Sequence, residues 1–254
     1  MTAKSWELFA RARESYRAEV ARMERELPEL RALQQELVDR HLPTYRVETP
    51  LVYNGSLDDL GPESDIRLIL VGDNPGRREQ AAENRRYLVG PSGKIAERFF
   101  REKPELGIDF RRNVVILNKT PIHTPRTAGL RELSGAGGPE LEAALERSQR
   151  EMARLLPQFQ RALSEGTGRN LPIWITGYSE MKKGGIFAAY TDELKAIYGS
   201  AESRESGLSE TLFLYRHFSM NQFLIDLKQQ STEGESLTET LRRIGIGYRK
   251  RFLY

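Results

Sequence analysis

Ile66–Val71 reads IRLILV and runs straight into Gly72-Asp73-Asn74-Pro75-Gly76. A short apolar run broken by a glycine–proline turn is the pattern of a strand buried on both faces and followed by a tight loop. Three later runs have the same character: Asn113–Leu117 (NVVIL), Leu171–Thr176 (LPIWIT) and Thr211–Tyr215 (TLFLY). Helical patterns lie between them. One covers Ser92–Arg101. A long one is marked by Leu141, Leu145, Met152, Leu155, Phe159 and Leu163, with a kink expected at Pro157. Others cover Ile186–Tyr198 and Asn221–Gln229. Strands alternating with helices predict an α/β fold, three layers α/β/α around a central four-stranded parallel sheet. Ligands of such sheets bind beyond the carboxyl ends of the strands.

Outward from this core, the first forty residues read as helix. Phe9, Tyr16, Met23, Leu30 and Leu37 recur every seventh residue, with Val20 and Leu27 filling the stripe. Pro28 is expected at the first position of a second helix, where a missing N–H costs nothing. The chain then divides into an N-terminal helical extension packed on the core (1–45), the α/β domain (46–235) and a basic C-terminal tail (236–254). Ala128–Pro139 (AGLRELSGAGGP) is glycine-rich and reads as a mobile loop.

Composition narrows the chemistry. With 39% hydrophobic and 30% charged residues, the chain can bury a core and is not of the disordered class. It contains no cysteine, which excludes disulfides, thiolate metal sites and iron–sulfur clusters. The only histidines are His41, His123 and His217, so no histidine-rich metal site and no cofactor are expected. No apolar stretch is long enough to span a bilayer and no signal peptide is evident, so a cytoplasmic protein without membrane contact is expected. A net charge of +3 permits nucleic-acid binding without demanding it. Basic residues cluster at Arg77 and Arg78, Arg85 and Arg86, Arg111 and Arg112, and in Arg242–Arg251. Such clusters are more often solvated faces.

The residues after each strand carry the functional signal. The first loop sets Asp73 and Asn74 inside a Gly–Pro turn, which an Asx-type turn would also explain. Tyr87-Leu88-Val89-Gly90-Pro91-Ser92-Gly93-Lys94 leads into a helix whose first N–H groups suit a phosphate. It is not a nucleotide-triphosphate loop, because that pattern needs glycine at 88 and Ser or Thr at 95, and the chain has Leu88 and Ile95. After the second strand comes Asn118, whose amide can both donate and accept and so can read a base edge, or else brace the loop. After the fourth come His217, Phe218, Ser219 and Met220; the serine could simply cap a helix and the histidine could be structural.

In order and spacing these segments resemble the uracil-DNA glycosylase superfamily over roughly residues 50–230. Gly72–Gly76 (GDNPG) is similar to the family's first motif, found as GQDPY, GEAPG, GINPG or GMNPG in its branches. Tyr87–Gly93 (YLVGPSG) is similar to PFVGxAG of the iron–sulfur branch. Asn118 falls where the family has its base-reading asparagine, Gly177 fits the end of the third strand, and His217-Phe218-Ser219 resembles the HPS motif. The chain departs in having no cluster cysteines, Phe218 for the proline of HPS, and Leu88 where the stacking aromatic stands, with Tyr87 one residue earlier.

The resemblance implies a monofunctional DNA glycosylase of base excision repair, a monomer acting on DNA that contains a deaminated or mismatched base. Asp73, aligned with the glutamate of GEAPG, or Asn74, aligned with the aspartate of GQDPY, would position the attacking water. His217 would stabilise the leaving base. Gly72, Tyr87, Leu88 and Asn118 would form the base pocket. Pro75, Gly76, Ser92, Gly93 and Ser219 would meet the DNA backbone, with Met220 filling the gap left by the everted nucleotide. Two other classes remain open at this point: a non-catalytic DNA-binding or damage-sensing protein on the same fold, and a small-molecule enzyme such as a nucleotide-using transferase, since fold alone does not separate them.

Overall fold

A computed structural model describes residues 1–40, 42, 44–168 and 170–253. His41 lies outside the described residues, as does the last residue of the C-terminal segment. The four apolar runs form β1 (Leu68–Gly72), β2 (Val114–Asn118), β3 (Ile173–Thr176) and β4 (Leu212–Tyr215), every residue of them buried. They make one all-parallel sheet in the order β2-β1-β3-β4. Gly72 pairs with Asn118, Val71 with Ile175, and Thr176 with Tyr215, so the four strands end level. The loops that leave the strand ends therefore lie along one rim.

Crossovers between parallel strands are right-handed. The chain steps from β1 to β2 in one direction through α3 (Pro91–Glu102), then back through α4 (Gly129–Ser164) and α5 (Ala188–Tyr198) to β3 and β4. This reversal places helices on both faces and gives the three-layer α/β/α architecture. The reversal point lies between β1 and β3, where open α/β sheets form their binding crevice. On the α3 face, Trp174 stacks with Phe100 at 5.5 Å and with Phe223 of α7 (Gln222–Gln230) at 6.0 Å between ring centres. Ring pairs of this kind add about 0.5–1.5 kcal/mol each beyond their burial.

The N-terminal stripe forms α1 (Ala3–Glu26) and α2 (Leu30–Asp39). Phe9, Tyr16, Val20 and Met23 are all buried, Phe9 edge-on to Phe159 of α4. Ser5 Oγ donates to the Ala162 carbonyl at 2.7 Å. Pro28 does not open α2. It sits in the turn closed by the Leu30 N–H to the Leu27 carbonyl, and Leu30 is the first helical residue.

Two segments differ from their expected form. Ala128–Pro139 is not a structureless loop: it is the first part of α4, anchored by buried Leu130 and Leu133. Its glycines serve one sharp bend at Gly138 (φ 67°), after which Pro139 restarts the helix. The break in α4 is there, not at Pro157. Residues 236–254, expected as a tail, hold the helix α8 (Leu237–Leu253). It lies on β4, where a Cβ at Gly245 would come 2.7 Å from Phe213 Cβ and 2.8 Å from the Tyr215 hydroxyl. Arg242, Arg243, Lys250 and Arg251 occupy its outer face, whereas Arg249 turns inward and donates to the Ser209 carbonyl at 2.6 Å. No helix among the described residues is long and apolar enough to cross a membrane.

Candidate active site

At the rim of β1, β2 and β4 a cleft of about 850 Å³ opens. Asp73, Asn74, Asn118 and His217 line it together, as do Leu88, Gly76, Ser92, Ser219 and Met220. The level strand ends bring them there from four separate stretches of chain.

The floor is built without slack. Asp73 is buried, and Lys119 Nζ donates to its Oδ1 at 2.5 Å. Lys119 is wholly enclosed, donating also to the Thr176 carbonyl at 2.5 Å, with its ammonium 4.8 Å from the centre of the Phe187 ring. Burial drives the Lys119 ammonium below its ordinary value of 10.5, and the Asp73 charge opposes this. An ion pair this enclosed is held mainly by geometry and mutual neutralisation, since each partner alone would be a buried charge. A Cβ at Gly177 would meet Asp73 Oδ1 at 2.4 Å, and Gly177 also takes the left-handed φ of 79°; no other residue type fits both demands. The second oxygen of Asp73 has only the Thr127 hydroxyl at 3.3 Å, and it is the oxygen left for a ligand or water.

Asn74 is fastened rather than free. Its Nδ2 donates to Thr124 Oγ1 at 2.8 Å, tying the first loop to the loop after β2. Of the two residues considered for holding a water, Asp73 is the charged one: its Oδ2 and the Asn74 Oδ1 both face the cleft without a strong partner, and the carboxylate is the stronger acceptor. Asn118 is the reverse of Asn74: it is buried, it lines the cleft, and its Nδ2 has no hydrogen-bond partner. An unpaired buried donor costs about 1–3 kcal/mol, and at a cleft such a group calls for a water or a ligand to meet it. Gly72 does not itself reach the cleft. It makes room for that amide, because a Cβ there would stand 2.6 Å from Asn118 Oδ1.

His217 is half-buried. Its Nδ1 accepts the Ser219 N–H at 3.1 Å and lies 2.8 Å from Ser219 Oγ. An acceptor at Nδ1 leaves the proton on Nε2, so the neutral ring is a donor there. Burial pushes its pKa below 6.5, Asp73 pulling upward and Lys119 downward. The loop continues through Met220 and Asn221, both left-handed (φ 53° and 58°), with Met220 84% exposed at the mouth of the cleft. Phe218, in place of proline, is buried and stacks on Phe223 at 4.3 Å. It anchors this loop to the core.

Several expected contacts are placed elsewhere. Tyr87 does not line the cleft: it is fully buried, donates to the Val52 carbonyl at 2.6 Å, and meets the Tyr16 hydroxyl of α1. Leu88 alone forms that part of the wall. Gly93 lies behind it, where a Cβ would overlap the Leu88 carbonyl oxygen at 1.6 Å. The Pro75 carbonyl is engaged by His123 Nδ1 at 2.8 Å, so Pro75 braces the loop and is no part of the lining. His123, wholly buried, also takes the Tyr45 hydroxyl on Nε2 at 2.8 Å, and burial pushes its pKa down to about 4.

Lys119, Glu79 and Thr127 belong to the site and were given no role from the sequence. A lysine directly after a fully buried strand, and a glutamate three residues after Gly76, were the available signals. Arg77, Arg78 and Arg126 stand exposed around the cleft, with no ion pair among the described residues. Beyond the Thr124–Arg126 segment lies a second void of about 260 Å³, lined by apolar residues such as Leu37, Val38 and Leu133.

The chain matches no protein-family model, and no curated protein matches it. The chemistry of the cleft therefore has to be read from its own groups: a carboxylate with one free oxygen, a neutral imidazole donor, an unpaired carboxamide, and cations at the rim.

Proposed function

We propose that this protein is a DNA glycosylase, of the type its motifs resemble, hydrolysing the N-glycosidic bond of uracil or another deaminated base in DNA. The observation that carries the reading is the unpaired, buried amide of Asn118 in the same cleft as Asp73 and His217. Its Nδ2 would donate to O4 of uracil while Oδ1 accepts from N3–H. Cytosine exchanges the donor and acceptor of that edge and would be refused.

In this reading the base is everted at a cost of a few kcal/mol, and exposed Met220 fills the space it leaves. The base packs on Leu88, whose aliphatic face gives less than an aromatic platform would. The C1′–N1 bond breaks with its electron pair going to the base, so the sugar becomes cationic and charge builds on O2. The Nε2–H of His217 donates to that charge; removing one such donor typically costs about a hundredfold in rate. Asp73, fixed by Lys119, uses its second oxygen to hold the water that adds to C1′ and stabilises the cation nearby. The water's proton leaves to solvent or to the departing base. Arg77, Arg78 and Arg126 supply phosphate contacts, with Ser92, Gly76 and Ser219 along the same wall. The proposal is of a cytoplasmic monomer that needs no metal or prosthetic group for this step.

The test is a panel of single- and double-stranded oligonucleotides, each carrying one uracil, hypoxanthine, xanthine or mismatched base, scored for alkali-labile abasic sites. Strand breaks at uracil that vanish in Asp73→Asn support the reading. Tight binding with no abasic product from any oligonucleotide replaces it with a damage-sensing protein.

A further inference from the structure

Glu79 is buried beneath the cleft and reaches two loops at once. Its Oε2 accepts the Gly76 N–H at 2.7 Å, and its Oε1 accepts the Leu88 N–H at 2.8 Å. Gly76 closes the loop after β1, whereas Leu88 forms the wall of the second loop. Leu88 is left-handed (φ 52°), a conformation that costs a branched side chain of order 1–3 kcal/mol unless its surroundings enforce it. Here they do. Glu79 takes the Leu88 N–H, Arg111 donates to the Leu88 carbonyl at 2.9 Å, and Gly93 leaves the space that carbonyl needs.

We propose that Glu79 is a positioning residue, a carboxylate clamp that holds the Leu88 wall against the Asp73 loop and so sets the width of the base pocket. The inference rests on the glycosylase reading only for what the pocket holds; the clamp itself is a property of the protein alone. Only an ionised carboxylate accepts from both amides. The carboxylic acid has a proton of its own to place, and one of the two N–H groups then faces a donor.

Burial pushes Glu79 up to about 7, against the two amide bonds and Arg111, which favour the charge. The charged group bearing on it is Arg111, on the far side of Leu88; the neighbouring Tyr87 hydroxyl is kept protonated and neutral, chiefly by its burial. Arg77 and Arg78 share the cleft but are turned to solvent. Because the folded value lies above the ordinary 4.5, stability tied to Glu79 is full in acid and falls as pH rises through about 7. The clamped state is thus the tensioned one, and lowering the pH frees the wall.

The test has two arms. In the free protein, the amide resonances of Gly76 and Leu88 are followed by NMR from pH 5.5 to 8.5. They should titrate together with one midpoint near 7, and Glu79→Gln, whose amide can accept only one of the two bonds, should abolish the shared midpoint. In the second arm, single-turnover cleavage of a uracil oligonucleotide should slow about tenfold from pH 8 to pH 6, the loss of one charge-assisted bond. Glu79→Gln should hold the slow rate at both pH values, and Arg111→Met should weaken the clamp without removing its titration. Amides that titrate separately, or not at all, overturn the clamp even if cleavage is intact. Co-titration in a protein that cuts no base leaves the clamp standing and rejects the glycosylase reading.

Discussion

The two walls of the cleft are made in opposite ways. At the ends of β1, β2 and β3, the side chains are tied to groups distant in sequence: Lys119 to Asp73 and Thr176, Asn74 to Thr124, His123 to Pro75 and Tyr45. Glycines at 72 and 177 exist so that this packing can close. After β4 the contacts are local. The His217 ring bonds only Ser219 two residues on, and the chain then passes through two left-handed residues, the first of them the exposed Met220. The first wall is a piece of core that happens to face a cleft, and the second is a loop hung from Phe218. Substitutions in the first should cost stability and activity together. In the second, apart from the anchoring Phe218, they should cost little or no stability.

The largest effect expected is at Lys119. Lys119→Met removes the cation from a fully enclosed pair and leaves Asp73 charged against an apolar side chain. Breaking such a pair costs about 3–5 kcal/mol, roughly 10 °C in melting temperature for a chain of this size. Lys119→Met combined with Asp73→Asn should recover much of that stability while remaining inactive, which a melting curve and a cleavage assay on the two variants will show. A single variant that melts like wild type would mean the pair is not closed in solution, and the contrast between the walls would go with it.

Next in size is His217→Ala, which under the glycosylase reading should lower single-turnover cleavage about a hundredfold, and which should leave the melting temperature within a degree or two. The ring makes no bond outside its own loop, so nothing distant loses a partner. A large drop in stability would show that the loop is part of the core after all.

His123 offers a pH-dependent version of the same contrast. Its folded pKa of about 4 lies below the ordinary 6.5, so the unfolded chain binds the extra proton between those values. Its stabilising contribution is complete above 6.5 and is lost as pH falls toward 4, by about 2 kcal/mol between pH 6.5 and pH 5. Glu79 shifts stability the other way, so the informative quantity is the difference between wild type and His123→Gln in urea melts at each pH. The variant should be less stable at pH 7.5 and should lose less on acidification; parallel curves would place His123 in solvent.

How far the sequence revealed these walls depends on the same division. The strands were legible because each is a short run buried on both faces, and the rim was implied by their parallel order. Asp73, Asn118 and His217 were legible because they stand next to strand ends. Tyr87 was misplaced because a loop tyrosine beside a candidate pocket reads as a stacking group, while its partners, Tyr16 and the Val52 carbonyl, lie far away in the chain. Lys119 and Glu79 escaped for the same reason. A buried charge announces itself only through the group that neutralises it, and Asp73 is 46 residues from Lys119. The glycines of 128–139 suggested slack, but one bend at Gly138 uses that freedom and Leu130 and Leu133 fix the remainder. Residues 236–254 looked like a tail because the charges outnumber the few buried positions, Leu241 and Ile244 among them, by which α8 lies on β4.

The smallest effect sharpens the contrast most. Met220 and Asn221 hold positive φ in succession, and no hydrogen bond to the Met220 side chain offsets the strain. Glycine removes the steric penalty at such a position, so Met220→Gly should raise stability by up to about 1 kcal/mol, reduced by the extra freedom of the unfolded chain. Under the glycosylase reading it should also weaken binding to duplex DNA several-fold, since the exposed side chain that fills the vacated stack is gone, while cleavage of single-stranded substrate changes little. Asn221→Gly should give a similar or smaller gain in stability without the loss on duplex, because asparagine already tolerates the left-handed region. A site made more stable and less effective by one substitution is what a loop held in tension for contact with a ligand should show. If both variants lose stability, the left-handed pair is held by packing, and the wall after β4 is built like the other.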